Sequence, residues 1–279
     1  MHFIFALITG GLAGLHNSTW GMYKDAPHEG FTWPKYFRST IAGLIYGPLL
    51  WYLFDMDLSQ LSQIAVLFGA TYMAERLTME VYKTFIREED QSKYFIPMQL
   101  SVLGKPVKSR GARLVSAVVY VGIVVIIVFL IYRLNENYQA GTLNMSPWLI
   151  LLICSVGGWL SAFGGAWKDA PIEGFETFKF FRSPGVAYFY AFVASLLTDN
   201  LMLIAMCSIG FTIATIETYK TFFFLDRPRG KFAGKPVLFP EMLERRKPFK
   251  YLFIGIWIYL LVFLIYGLIN TIDPLSLFS

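Results

Sequence analysis

Charged side chains are scarce in this sequence. Lys, Arg, Asp and Glu make up 15% of its 279 residues, whereas 56% are hydrophobic and the mean hydropathy is +0.52. A soluble domain of this size could hardly cover so much apolar surface. The composition therefore argues against an ordinary soluble protein and predicts a protein embedded in a membrane.

Cysteine and histidine are equally rare, which argues against several kinds of metal or redox site. The two cysteines, Cys154 and Cys207, fall within apolar runs, where packing is a commoner role than disulfide formation or metal binding. The three histidines are His2, His16 and His28. None of them recurs in the second half of the chain, and no histidines are paired at equal membrane depth to ligate haem or chlorophyll.

Long apolar runs are what the sequence has instead. Eight stretches have about the length and composition of a bilayer span. The predicted spans are 2–22, 39–54, 60–84, 112–134, 147–167, 184–199, 200–224 and 251–271. The first begins without the basic lead of a signal peptide and is therefore expected to be a retained helix. The sequence thus predicts an all-α polytopic membrane protein.

A polar block of sixteen residues occurs twice. KDAPHEGFTWPKYFRS runs over residues 24–39 and KDAPIEGFETFKFFRS over residues 168–183, with eleven identical positions. Two shorter matches follow in the same order, E-x-Y-K-T-F at 80–85 and 217–222 and G-K-P-V at 104–107 and 234–237. Three matched blocks in one order predict two tandem four-helix repeats, residues 1–140 and 141–279. Because each has an even number of spans, both enter the membrane in the same direction, as parallel repeats do.

The distribution of charge predicts the orientation. Of the 24 Lys and Arg residues, 23 lie in the loops after spans 1, 3, 5 and 7 or in helix ends that lead to them; only Arg133 lies on the other side. Basic loops stay in the cytoplasm. We therefore expect the repeated blocks on the cytoplasmic side of a cytoplasmic or organelle inner membrane, with both termini outside. This bias also explains the basic charge without a nucleic-acid partner.

The repeated K-D-A-P blocks predict an anion site. Pro27 is expected to end the first span, and Ser39 to cap the second; Ser183-Pro184 has the corresponding order in the other half. A helix N-terminus flanked by Lys and Arg attracts phosphate through its N–H groups and the cationic side chains. The predicted ligand-binding residues of the two blocks are Lys24, Lys35, Arg38, Ser39, Lys168, Lys179, Arg182 and Ser183.

Carboxylates in the same loops are the candidate catalytic groups. They are Asp25, Glu29, Asp169 and Glu173, in the role of metal ligand or general base. Carboxylates opposite bound phosphate suggest a bridging Mg²⁺, although no diagnostic metal spacing is present. The E-x-Y-K-T-F blocks add Glu80, Lys83, Glu217 and Lys220 to the predicted ligand-binding residues, with both glutamates expected near these loops; alternatively, each glutamate only pairs with the Lys one helical turn later.

Other repeated or clustered cations have weaker signals. Lys105 and Lys235 of the G-K-P-V loops either cover a ligand or face water, since the loops lack the pattern of a P-loop. A dense basic patch near the C-terminus is suited to anionic lipid or an acidic protein. It consists of Lys231, Arg245, Arg246, Lys247 and Lys250.

The sequence favours a function at the cytosolic membrane surface and leaves its kind open. The preferred interpretation is binding of an anionic, phosphorylated lipid, with a lipid-phosphate transferase or hydrolase as its extension. The repeated charges can equally be structural salt bridges or lipid anchors in a non-catalytic subunit of a membrane complex. A third alternative is a transporter or lipid flippase, which needs polar groups at membrane depth. Residues 16–19 and 75–76 supply such groups, but they are not repeated: Thr212-Ile213 stands at the place of Glu75-Arg76.

Overall fold

Long helices dominate residues 1–223 and 230–270, which a computed structural model describes. The long helices are α1 (His2–Glu29), α2 (Trp33–Leu53), α3 (Leu61–Val81), α4 (Arg110–Gln139), α6 (Val156–Glu173), α7 (Thr177–Ser195), α8 (Leu201–Phe222) and α10 (Lys247–Asn270). The shorter elements are a π-helical turn (Tyr82–Ile86), a hairpin of β1 (Ser101–Val102) and β2 (Lys105–Pro106), α5 (Pro147–Cys154), a 3₁₀ turn (Gly230–Phe232) and α9 (Glu241–Arg245). The prediction of a helical protein is confirmed.

Three helical stretches are long and apolar enough to cross a membrane. They are Arg110–Gln139, Leu201–Phe222 and Glu241–Asn270. Helices α5 and α6, bent by 40° at their junction, make a fourth if they count as one broken span. These stretches indicate a membrane protein. Helices also occupy the remaining predicted spans, but they are not long and apolar enough to meet the same criterion. Residues 224 and 271, the last of the predicted spans 200–224 and 251–271, lie outside the described residues.

Glycines let α1 and α2 approach each other closely. Gly10 and Gly14 on α1 face Gly43 and Gly47 on α2, each pair four residues apart. A Cβ atom on Gly43 would lie 2.1 Å from the Gly10 carbonyl oxygen, so no side chain fits between the two backbones. Such spacing of small residues is a common device for packing helices in membranes. It places the start of α2 against the polar end of α1.

Corresponding positions in the two halves make corresponding contacts. Tyr46 on α2 forms a 2.7 Å hydrogen bond with Thr78 on α3, and Tyr190 on α7 forms a 2.7 Å hydrogen bond with Thr215 on α8. Gly158 on α6 approaches the backbone of α7 in the manner of the glycines on α1. The sequence similarity between the halves therefore extends to interhelical contacts.

Helices α3 and α8 form the centre of the structure. A Cβ atom on Gly210 would lie 2.0 Å from the Gly69 carbonyl oxygen, which shows how closely their backbones cross. The largest buried side chains around the crossing include Phe68, Tyr72 and Ile204. The two cysteines are buried in the core and do not form a disulfide with each other.

The prediction that Pro27 ends the first helix is wrong, because α1 continues to Glu29. Proline has no N–H to donate to the carbonyl four residues earlier. Here that carbonyl, on Tyr23, accepts a 2.8 Å hydrogen bond from the Arg246 guanidinium, which replaces the missing donor. The helix ends instead at Gly30, whose φ of 74° lies in the left-handed region.

The prediction that Ser39 and Ser183 cap helices is also wrong. Helix α2 already begins at Trp33, after Thr32 in extended conformation, and Pro34 suits its first turn. Helix α7 begins at Thr177. Both serines therefore lie inside helices, and neither helix has a side-chain hydrogen bond at its N-cap. Arg38 and Arg182 consequently face their surroundings from the second helical turn rather than from a helix end.

Each G-K-P-V loop packs on the K-D-A-P block of the other half. The hairpin of the first loop turns at Gly104, where a Cβ atom would lie 3.1 Å from Ile172. In the second loop, the N–H groups of Leu238 and Phe239 both donate 3.0 Å hydrogen bonds to the Pro27 carbonyl. The polar loops of the two halves are thus crossed.

Candidate functional site

A polar cleft lies between the end of α1, the start of α2 and the end of α3. Its volume is about 80 Å³, enough for a few waters or one small anionic group. Six cationic side chains line it: Lys35, Arg38, Arg76, Lys83, Arg87 and Lys231. Two carboxylates, those of Asp25 and Glu29, do so as well. The cleft therefore brings together much of the first repeated block.

Lys231 neutralises both carboxylates of the first block. Its ammonium group lies 2.8 Å from Asp25 Oδ2 and 3.0 Å from Glu29 Oε1. Lys35 contacts the other oxygen of Glu29. Since Asp25 and Glu29 are one turn apart at the end of α1, the two carboxylates and two lysines form one network that ties the loop after α8 to the first half of the chain.

The protonation of this network argues against Glu29 as a general base. Burial raises the pKa of the Glu29 carboxyl, but the charges of Lys231 and Lys35 outweigh it and hold the pKa well below its ordinary value. Burial lowers the pKa of Lys231, but Asp25 and Glu29 together raise it above its ordinary value. A base works best with a pKa near the operating pH. Glu29 instead serves as an ionised partner of two lysines.

Two cations of the cleft have no carboxylate partner among the described residues. Within residues 1–223 and 230–270, neither Arg38 nor Lys83 forms a salt bridge. Arg38 Nε is also buried and has no hydrogen-bond partner among these residues. The Arg38 guanidinium lies over the ring of Tyr82, 5.5 Å from its centroid. Half-buried guanidinium and ammonium groups without a carboxylate partner favour a negatively charged ligand.

The remaining arginines of the cleft are already paired. Arg76 contacts Glu80, and Arg87 lies 2.7 Å from Glu89. The six lining cations thus face four carboxylates, namely Asp25, Glu29, Glu80 and Glu89. The lining residues and their ion-pair partners therefore have a surplus of two positive charges.

The second repeated block is arranged differently. Lys179 lies 3.0 Å from Asp169 and 2.7 Å from Glu173, so one lysine neutralises both carboxylates. Arg182 resembles Arg38 in that its Nε is buried without a partner among the described residues. None of the lining residues of the cleft comes from this block. Exposed aromatic rings lie within this block or directly before it, namely Trp167, Phe175, Phe178 and Phe181.

The two E-x-Y-K-T-F blocks differ in how their glutamates are paired. Glu217 pairs with Lys220 at 3.2 Å, as helical spacing predicts, and also lies 3.5 Å from Lys24 of the first block. Glu80, in contrast, contacts Arg76 and not Lys83, so the expected pairing is wrong in the first half. The reason is that Arg76, one turn before Glu80, occupies the carboxylate and leaves Lys83 to the cleft.

The other predicted ligand-binding lysines lie outside the cleft lining. Lys168 Nζ lies 3.6 Å from Met98 Sδ, and Lys235 donates a 2.8 Å hydrogen bond to the Ser92 carbonyl. Lys105 is exposed on the hairpin. Of the two G-K-P-V lysines, one therefore binds a loop carbonyl and the other is exposed, and neither lines the cleft.

The sequence does not place three of the lining cations at the K-D-A-P blocks. The sequence places Lys231 in the basic patch near the C-terminus. Comparison of the two halves gives no reason to expect it beside α1, because Ser101 occupies the corresponding position in the first half. Arg76 and Arg87 also have no basic counterpart, since Ile213 and Phe224 stand at their places. The available signal was the rarity of an arginine inside an apolar run, which normally marks a functional site.

The donor set gives no support to a metal centre. Within residues 1–223 and 230–270, no three His, Cys, Asp or Glu side chains are grouped closely enough to hold a metal ion. The carboxylates proposed for Mg²⁺ contact lysines instead. Comparisons with protein-family models, curated proteins and solved structures find no match to this chain.

Proposed function

We propose that this protein is an eight-helix membrane protein of two tandem parallel repeats, 1–140 and 141–279, that binds the phosphate of an anionic lipid in the cleft of the first repeat. The cleft faces the cytoplasm in this proposal, as the charge bias of the loops predicts. The matched hydrogen bonds of Tyr46 and Tyr190 support the repeat arrangement. The matched approach of Gly14 and Gly158 to the following helix supports it as well.

The surplus of positive charge carries the binding proposal. Arg38 and Lys83 have no carboxylate partner among the described residues, and the lining with its ion-pair partners has two positive charges in excess. A phosphate monoester has a charge of about −1.5 to −2 at neutral pH. Its charge and its acceptor oxygens therefore match the cleft. Since the nearby carboxylates are engaged by lysines, the proposed function is binding, without a reaction step.

A neighbouring apolar face supports a lipid rather than a soluble anion. Phe37, Ile41, Leu44 and Ile45 on α2 are exposed on the helix that supplies Lys35 and Arg38. In a bilayer this face contacts acyl chains, because apolar side chains are stable there. A lipid whose head group enters the cleft can thus place its chains along α2.

Matched arginine variants test this function. The wild type, Arg38→Gln and Arg182→Gln are placed in neutral-lipid nanodiscs, and binding of fluorescent phosphatidic acid is titrated. Loss of one charge-assisted contact costs about 1.5–3 kcal/mol, so Arg38→Gln should weaken binding about tenfold or more. Arg182→Gln, with the same change outside the cleft, should keep affinity within about twofold.

Two further probes identify the source of the phosphate. Inorganic phosphate that displaces phosphatidic acid at equal concentration would point to a soluble ligand, and displacement by the lipid alone would support the proposal. Equal affinity of wild type and Arg38→Gln for phosphatidic acid would refute it. Unchanged binding in both variants, with lost assembly into a larger complex, would favour a structural subunit.

A further inference from the structure

A second polar cluster lies behind the cleft, between α1 and α3. Glu75, His16, Tyr72 and Thr71 are all fully buried, although α3 otherwise packs through apolar side chains. Three polar atoms of this cluster have no hydrogen-bond partner among the described residues: His16 Nε2, Thr71 Oγ1 and Glu75 Oε1. Buried polar atoms without partners are rare and costly. Such a cluster at membrane depth therefore calls for a function.

Hydrogen bonds define the state of each group. Trp20 Nε1 donates to Tyr72 Oη at 2.8 Å, and Tyr72 Oη shares a 3.3 Å hydrogen bond with His16 Nδ1, in which the tautomer of the imidazole decides the donor. The His16 ring also stacks on Phe253, with 4.2 Å between centroids, and contacts Trp257 edge-on. His16 is therefore a neutral ring in an aromatic environment, and the group that can change charge is Glu75.

Glu75 is separated from the cleft by a single side chain. Asn17 lines the cleft and donates a hydrogen bond through its amide to Glu75 Oε2. Because an amide N–H only donates, Oε2 acts as acceptor in either protonation state, and a proton on the carboxyl group must be carried by Oε1. Oε1 is the atom without a partner. The carboxyl group can thus gain or lose a proton without breaking its bond to Asn17.

The charges around Glu75 link it to an anion in the cleft. Its own helix supplies Arg76 and Glu80, with Lys83 just beyond, and α8 supplies Glu217. Helix α2 supplies Arg38 at the cleft and Ser39, whose hydroxyl acts on the Glu75 carboxyl group, whereas α1 and α10 present uncharged Asn17, His16, Phe253 and Trp257. Burial favours the neutral acid of Glu75, and the cations Arg76 and Lys83 oppose it. An anion that engages Arg76 and Arg38 offsets these cations and so moves the balance further toward the neutral acid.

We infer that Glu75 takes up a proton from water when an anionic head group binds in the cleft, so that anion and proton bind together. The inference rests on the proposed function. The step is H⁺ + Glu75–COO⁻ → Glu75–COOH, with the proton on Oε1. By linkage, lower pH strengthens anion binding by the same coupling free energy. The second half has Thr212 at this position, and its hydroxyl donates to the Ser208 carbonyl of the same helix, so the proton site belongs to the first half alone.

Calorimetry with a non-titrating lipid tests the inference. Phosphatidylglycerol has a phosphodiester that keeps one negative charge across the neutral range, so any proton taken up from solvent on binding is bound by the protein and not by the lipid. Binding heats in two buffers with different protonation enthalpies give the number of protons. The wild type should take up as much as about one proton per lipid, and affinity should rise by as much as about tenfold per pH unit of acidification.

Glu75→Gln keeps the acceptor for Asn17 and cannot take up a proton. It should bind the lipid without proton uptake and without the pH dependence, whereas the control Glu88→Gln, in the loop outside the cleft, should retain both. Binding without proton uptake in the wild type, or uptake that persists in Glu75→Gln, overturns the inference and leaves the binding function intact. Absence of phosphatidylglycerol binding in the wild type removes the inference, and absence of phosphatidic acid binding as well removes the proposed function.

An infrared measurement covers the case in which the variant does not fold. Addition of phosphatidylglycerol to the wild type should produce the carbonyl band of a protonated buried carboxyl group, with the shift in D₂O expected of an exchangeable proton. The same difference spectrum for a folded Glu75→Gln should lack this band. A wild-type spectrum without a new band contradicts the inference even if no variant can be prepared.

Discussion

The two K-D-A-P blocks share a backbone and differ in their surroundings. In both, a helix continues past proline and ends at a glycine with positive φ, 74° at Gly30 and 83° at Gly174. Lys35 pairs with Glu29 as Lys179 pairs with Glu173. In the first block, however, Lys231 arrives from the other half of the chain and completes a cleft, whereas exposed aromatic rings lie within the second or directly before it.

This difference changes how the repeat is interpreted. The residues that both halves retain, such as the capping glycines and the Lys–Glu pairs, mainly build the helix ends. Arg76, Lys231 and Glu75, which distinguish the cleft and its buried neighbour, have no counterpart of like charge. The repeated residues thus build the helix ends and supply Arg38 and Lys83 to the cleft, whereas the unrepeated ones complete the candidate site in the first half alone.

The two K-D-A-P blocks should differ most in the stability lost when the lysine that neutralises both carboxylates of a block is removed. Lys231→Met leaves Glu29 with Lys35 alone and Asp25 without a salt bridge among the described residues; the Glu29 side chain is 3% exposed and that of Lys231 16%. Loss of one partner from a buried ion pair costs about 3–5 kcal/mol. In the second block, Lys179 is 32% exposed and Glu173 26%, so Lys179→Met should cost about 1 kcal/mol or less. Thermal unfolding in one detergent, followed by helical circular dichroism, compares them; equal losses would contradict the contrast.

The pH dependence identifies the groups responsible. The folded pKa of Glu29 lies below its ordinary value of 4.5, so its contribution is complete above that pH and is lost as pH falls through the folded value. The folded pKa of Lys231 lies above 10.5, so its contribution is complete below that pH and is lost as pH rises further. The stability difference between wild type and Lys231→Met should therefore be constant between pH 4.5 and pH 10.5 and shrink in more acidic solution.

Helix positions were predictable from sequence because apolar runs of membrane length determine them locally. The ends of these helices were not, and Pro27 shows why. Its effect on α1 is offset by Arg246, a residue remote in sequence whose guanidinium reaches the Tyr23 carbonyl. Likewise, Lys35 and Arg38 were found through the repeat, whereas the role of Lys231 depends on the crossed path of the loops. The sequence similarity between the halves does not predict that the loops cross.

Glycine packing should give the next largest contrast. A Cβ atom on Gly43 would lie 2.1 Å from a backbone oxygen of α1, which cannot rotate away, so Gly43→Ala should cost about 1–3 kcal/mol. The second half already has Ala187 at the corresponding position. The control, Gly185→Ala on α7, meets no atom within 4 Å and should gain about 0.5–1 kcal/mol, since alanine favours a helix.

The same unfolding assay measures both glycine variants, and phosphatidic acid binding adds a second readout. Gly43→Ala must push α2 away from α1 and thereby displace Arg38, so its affinity should fall together with its stability. Gly185→Ala should leave affinity unchanged. A Gly43→Ala variant as stable as the wild type would contradict the close packing of α2 on α1.

The smallest effects should be equal in the two halves. Tyr46→Phe and Tyr190→Phe each remove one interhelical hydrogen bond of 2.7 Å, to Thr78 and Thr215. Such bonds contribute about 0.6 kcal/mol on average in membrane proteins, so each variant should lose about that much and the double variant about the sum. Tyr52→Phe, which is 77% exposed, should change nothing. Because the bonds have the same length and link corresponding helices, a difference above about 1 kcal/mol would mean that the scaffolds themselves have diverged; equality would confine the divergence to the loops that form the cleft.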